Sequence, residues 1–161
     1  MTATDREDPP PAPAAPSAAP VVTPAQIARL HLRFGWAVLA GFMALGLVLE
    51  ALHGFKAPWF LDADNEARRT ALRLAHTHGT LFGSINVLFA LSLERLPLDA
   101  RGGRLVSGLL RAATVLLPGG FLIGGLVIHS GDPGLGIGLV PVGAALMIAA
   151  TFLISRAAFR G

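Results

Sequence analysis

The chain has 161 residues, 53% of them hydrophobic and only 14% charged, with a mean hydropathy of +0.60, a formal net charge of +3 and no cysteine. Soluble domains of this size run about 45–50% apolar and about 25% charged, so the composition points to a membrane protein. The missing thiols exclude disulfides, thiolate metal sites and cysteine nucleophiles. The sequence pI near 11.0 does not argue for nucleic acid as a partner, because the arginines gather at the edges of apolar runs, where membrane topology accounts for them.

Residues 1–25 contain "DPPPAPAAPSAAPVVTP", a composition that cannot bury an apolar face and predicts a disordered or partly polyproline II tail. It does not read as a cleaved signal peptide. Asp5, Glu7 and Asp8 stand where a basic n-region belongs, and no apolar h-region follows. Residues 26–161 are expected to form one all-α transmembrane domain.

Four apolar runs follow, at about 34–52, 71–93, 109–128 and 135–154. Each is close to the about 20 residues that carry a helix across roughly 30 Å of hydrocarbon. Lipid offers the backbone no hydrogen bonds, so such spans are helices. The connectors "KAPWFLDADNEARR", "ERLPLDARGGR" and "SGDPG" are short, which predicts an antiparallel up-down-up-down four-helix bundle. The pairs Gly79/Gly83, Gly120/Gly124 and Gly134/Gly138 predict close helix approach, within one bundle, between copies or against other membrane subunits. Pro118 and Pro141, inside the third and fourth runs, predict bends.

Orientation follows from the cations. Arg6, Arg29, Arg33, Arg95, Arg101, Arg104, Arg111, Arg156 and Arg160 share one side, while Lys56, Arg68, Arg69 and Arg73 share the other. The excess predicts an inner-membrane protein of bacterial type with both termini in the cytoplasm.

On this map four of the five histidines fall in the outer leaflet. His53 ends the first span, His76 and His78 open the second, and His129 ends the third, while Glu50 sits one turn before His53. Glu50 and His53 are spaced i, i+3, which puts both on one helix face, the spacing di-iron bundles use to offer two ligands to one metal. His76 and His78 are two residues apart, about 200° around the helix, so they cannot chelate one ion. His76 shares a stripe with Gly79, Gly83, Asn86 and Ala90 and is expected to face inward; His78 shares the greasier stripe of Phe82, Ile85 and Phe89. Glu50, His53, His76 and His129 therefore form a candidate metal shell for Zn, Fe or Cu. Alternatively two of His53, His76, His78 and His129 clamp a haem, with Lys56, Arg68, Arg69 and Arg73 near its propionates. The competing reading has these side chains snorkelling to headgroups or bonding between helices. His31 lies nineteen residues before Glu50, about 28 Å along a helix, and reads as an interfacial residue. Asn86 reads as glue between two helices.

The stretch "HTHGTLFG" resembles the histidine-x-histidine helix of haem–copper oxidase large subunits, which implies that His76 and His78 ligate two different haems. The remaining copper-ligand helices have no counterpart here. The broader pattern "EALHGFK" followed by "NEARRTALRLAHTHGTLFGSINVLFA" resembles small uncharacterised bacterial four-span membrane proteins, a likeness that implies no activity. No Gly-x-Ser-x-Gly elbow, H-E-x-x-H motif or phosphate loop is present. Three functions remain: a haem- or metal-binding membrane redox protein, a non-catalytic accessory or assembly subunit, and a transporter, for which the bilayer centre supplies chiefly Asn86.

Overall fold

A computed structural model describes residues 22–62, 66–129 and 131–160, with the backbone alone at His129. The tail expected over 1–25 falls largely outside these residues. Its last part does not: helix α1 begins at Pro24, not near residue 34, and runs to Gly54. The cause is a capping box in "TPAQ". The Gln26 amide donates to Thr23 Oγ1 at 3.3 Å and the Thr23 amide to Gln26 Oε1 at 2.8 Å, which satisfies two of the amides a helix start leaves open. Pro24, whose missing N–H costs nothing in the first turn, completes the start.

A short helix, α2 (Pro58–Leu61), leads to α3 (Glu66–Ser92), then α4 (Ala100–Leu126) and α5 (Leu139–Ala158). Asp99 caps α4 by accepting the Gly102 amide at 2.8 Å. Between α4 and α5 lie a two-residue antiparallel pair, β1 (Ile128–His129) with β2 (Asp132–Pro133), and a 3-10 turn, Leu135–Gly138. Pro141 thus falls in the first turn of α5, where it terminates nothing, and not inside the helix as the sequence suggested. Pro118 does lie within α4.

The four long helices pack in series. α1 lies on α3, α3 on α4 and α4 on α5, with α1 touching α4 lightly. Neighbours are antiparallel: Gly35 meets Gly83 and Gly46 meets His76 across α1–α3, while Gly120 meets Val140 and Gly143 meets Leu117 across α4–α5. A Cβ on Gly83 would come within 2.8 Å of the Leu39 amide, so this seam closes backbone against backbone. The main core joins Phe82, Phe89, Val106, Leu110, Leu117 and Met147, with Ile27 at one end. A smaller cluster of Leu49, Phe60 and Leu72 seals the other end.

Three helices are long and apolar enough to cross a membrane, spanning Pro24–Gly54, Ala100–Leu126 and Leu135–Ala158. α3 has the length but not the apolarity, because His76, Thr77, His78, Thr80, Ser84 and Asn86 interrupt its greasy positions. Its place explains this. α3 is flanked on both sides and meets protein where the outer helices meet their surroundings. Only 11% of the apolar window of α1 and 17% of that of the α5 segment is buried, against 44% for α4.

Candidate functional site

Two polar regions lie along α3, ten residues or about 15 Å apart. The first surrounds His76. Its ring is half-buried against α1 and rests on Gly46, where a Cβ would collide with it, while the Phe42 ring rests in the same way on Gly79. Two glycines on opposite helices thus make room for each other's neighbour.

His76 Nδ1 stands 2.7 Å from the Phe42 carbonyl oxygen. A carbonyl only accepts, so Nδ1 carries the proton and donates. In the neutral ring this leaves the lone pair on Nε2. His78 repeats the arrangement on the opposite face: its Nδ1 donates to the Leu74 carbonyl at 2.8 Å, and its ring stacks on Phe121 of α4 with centroids 5.3 Å apart. An imidazole whose Nδ1–H is held by a carbonyl is the usual state of a metal-ligating histidine, since the bond fixes the tautomer and raises the basicity of Nε2.

A groove of about 240 Å³ opens beside His76, lined by Met43, Gly46, Leu49, Glu50 and Arg73 among others. Glu50 follows Gly46 by one turn, about 6 Å along the helix, which brings a carboxylate to the wall that His76 faces. Of the expected ligand set, His76 and Glu50 line this groove. His53 is exposed beyond it at the end of α1, and only the backbone of His129 is described, just past α4. Among the described residues no three of His, Asp and Glu gather as a metal set. Arg73 lines the groove, but Arg68 and Arg69 are engaged elsewhere. Arg68 lies over the Trp59 ring at 4.5 Å and donates to the Trp59 carbonyl at 2.9 Å, and Arg69 donates to the Asp62 carbonyl at 3.4 Å.

The second region corrects the reading of His31. It is not interfacial: its exposure is 0%, as is that of Asn86. The early start of α1 puts His31 two turns inside the helix, on the face that meets both α3 and α4. Its Nδ1 stands 2.7 Å from Asn86 Oδ1 and its Nε2 2.8 Å from Ser107 Oγ. The donors can be worked out from the far end. Thr114 Oγ1 donates to the Leu110 carbonyl at 2.7 Å, so it accepts from Asn86 Nδ2 at 2.8 Å, which also donates to the Phe82 carbonyl at 2.8 Å. That orientation turns Asn86 Oδ1 to His31, whose Nδ1 must donate. His31 Nε2 then accepts from the Ser107 hydroxyl. The chain of bonds ties three helices together and ends on backbone carbonyls. Phe89 closes the site edge-on, its centroid 4.9 Å from the His31 ring.

Asn86 is therefore more than glue between two helices: it bridges α1 and α4 from the middle. Ser107 and Thr114 went unread in the sequence, although their i, i+7 spacing puts them on one face of α4. No protein-family model, curated protein or solved structure matches this chain.

Proposed function

We propose that the chain is an integral membrane protein that binds one transition-metal ion, of the Zn, Fe or Cu class, in the groove beside His76, in support of a redox role. One observation carries the reading. The Nδ1–H of His76 is committed to the Phe42 carbonyl, which leaves Nε2 as the ring's metal donor in a groove that Glu50 also lines. Imidazole with carboxylate suits these ions, and two protein donors leave open coordination positions. A haem fits the groove less well: pockets that enclose ligands of drug size measure about 300–1,000 Å³, and this groove is about 240 Å³.

The test is elemental analysis and a visible spectrum of the full chain in detergent, purified from metal-replete cells. About one equivalent of metal per chain is expected. His76→Ala should remove it and Glu50→Gln should weaken it at least tenfold, while His53→Ala, changed at an exposed position, should retain it. A metal-free protein that takes up none on titration overturns the reading.

A second reading, the non-catalytic accessory subunit, draws on the His31 region, where all the side-chain bonds serve helix packing, and on the open faces of α1 and α5. It predicts colourless, metal-free protein in the same experiment.

A further inference from the structure

Opposite the His76 groove, where α4 begins and α5 ends, a cleft of about 220 Å³ separates the two helices. Its floor includes Leu105, Val106 and Leu153, and its rim carries Arg156 and Arg160. Arg156 lies in the last turn of α5 and Arg160 two residues past its end, and both line the cleft. Among the described residues neither meets a carboxylate. The Arg156 guanidinium lies 5.8 Å from the Phe152 ring centroid.

The stripe that holds Arg156 continues toward the middle of the helix as Phe152 and Ile148, exposed by 59% and 71%. Ile148, Phe152 and Arg156 thus make one line on α5, apolar along its length and cationic at its end, with Arg160 in the turn just beyond. Leu105 on α4, 53% exposed, flanks it. The carboxylate of Asp99 also lines the cleft and caps α4 by accepting the Gly102 amide, so one negative charge stands against the two arginines. The surrounding helix ends add Arg95, Arg101 and Arg104 against Glu94, so the balance favours an anion.

We infer that this cleft is a binding site for an anionic phospholipid, its phosphodiester held by Arg156 and Arg160 and its acyl chains lying along Phe152 and Ile148. A free phosphate offers the same charge but leaves the apolar part of the stripe uncovered. The inference rests on the membrane reading above and is independent of the metal.

The full chain in detergent is titrated with phosphatidylglycerol, with phosphatidylcholine of the same acyl chains and with inorganic phosphate, and bound lipid is counted by native mass spectrometry. A basic residue near an anionic headgroup contributes about fivefold, so the pair predicts a roughly 30-fold preference for phosphatidylglycerol over phosphatidylcholine that shrinks with salt. Arg156→Gln with Arg160→Gln should abolish that preference while leaving the thermal midpoint in phosphatidylcholine unchanged; Arg29→Gln should leave the preference intact. Equal binding of the two lipids, a preference that survives the double substitution, or inorganic phosphate competing the lipid away at comparable concentration each overturns the proposal. Carbonate extraction of cell membranes separates the two failures. Release of the chain removes the membrane reading and this inference together, whereas retention with no lipid preference removes this inference alone.

Discussion

The two polar regions of α3 use the same residue type in opposite ways. At His31 both ring nitrogens are bonded and every bond runs to another helix or its backbone. At His76 one nitrogen is bonded to a carbonyl and the residue lines an open groove. A histidine is therefore not read by its position in a span but by what its second nitrogen meets. A closed network contributes stability and offers nothing to a ligand; a half-closed one gives up little stability and keeps a lone pair available. In a low-dielectric interior the first kind must be complete, because a single unpaired group there costs more than its bond contributes.

The largest expected effect tests the closed region. His31→Ala removes two side-chain bonds, leaves Asn86 Oδ1 without its donor and opens a cavity where three helices meet. The cavity and the orphaned acceptor dominate, and a loss of about 3 kcal/mol is expected. Unfolding in mixed detergent measures it. A change within about 0.5 kcal/mol would show that the network is incidental and would remove half of the contrast.

How much of this was legible beforehand differs between the two regions for a physical reason. The long helices follow from apolar runs, because periodicity reports faces, but His76 and His78 are both half-buried, so the two stripes did not separate them. The His31 network was hidden by a boundary. "TPAQ" reads by composition as part of the Pro/Ala-rich tail, yet its capping box starts α1 ten residues before the apolar run and carries His31 into the core. Composition argued for tail; two local hydrogen bonds argued for helix, and they won. Depth along a span places His53 and Glu50 together, but the end of α1 turns at Lys56 and leaves His53 exposed. Arg68 was equally unreadable as a ligand partner, since its contact with Trp59 depends on how α2 folds back.

Gly46 sharpens the comparison from the open side. Gly46→Ala gains helix propensity of about 1 kcal/mol but drives the His76 ring from its seat, with loss of the bond to Phe42 at about 1 kcal/mol. Stability should therefore hardly change, whereas metal affinity should fall at least tenfold because the ligand loses its fixed tautomer and aim. His31→Ala should do the reverse, with unfolding moved and metal content at 4 °C retained. Unfolding curves and metal titrations on both variants give the cross-check. If Gly46→Ala leaves metal binding intact, His76 is a packing residue like His31 and the two regions do not differ in kind.

The smallest effect concerns how the open end is built. α1 closes with Lys56 at φ 53°, the left-handed conformation that side chains avoid at a cost of about 1 kcal/mol. The surrounding bonds, Ala57 N to Leu52 O at 2.9 Å and Lys56 N to His53 O at 3.1 Å, are those of a helix stop that normally takes glycine. The strain is tolerated because the turn must deliver Phe60 into the small core with Leu49 and Leu72. Lys56→Gly removes the strain and should raise stability by about 1 kcal/mol, read as a small upward shift of the thermal midpoint. Lys56→Ala, which keeps a Cβ, should not. If both substitutions shift the midpoint alike, the gain comes from lost charge and not from the backbone.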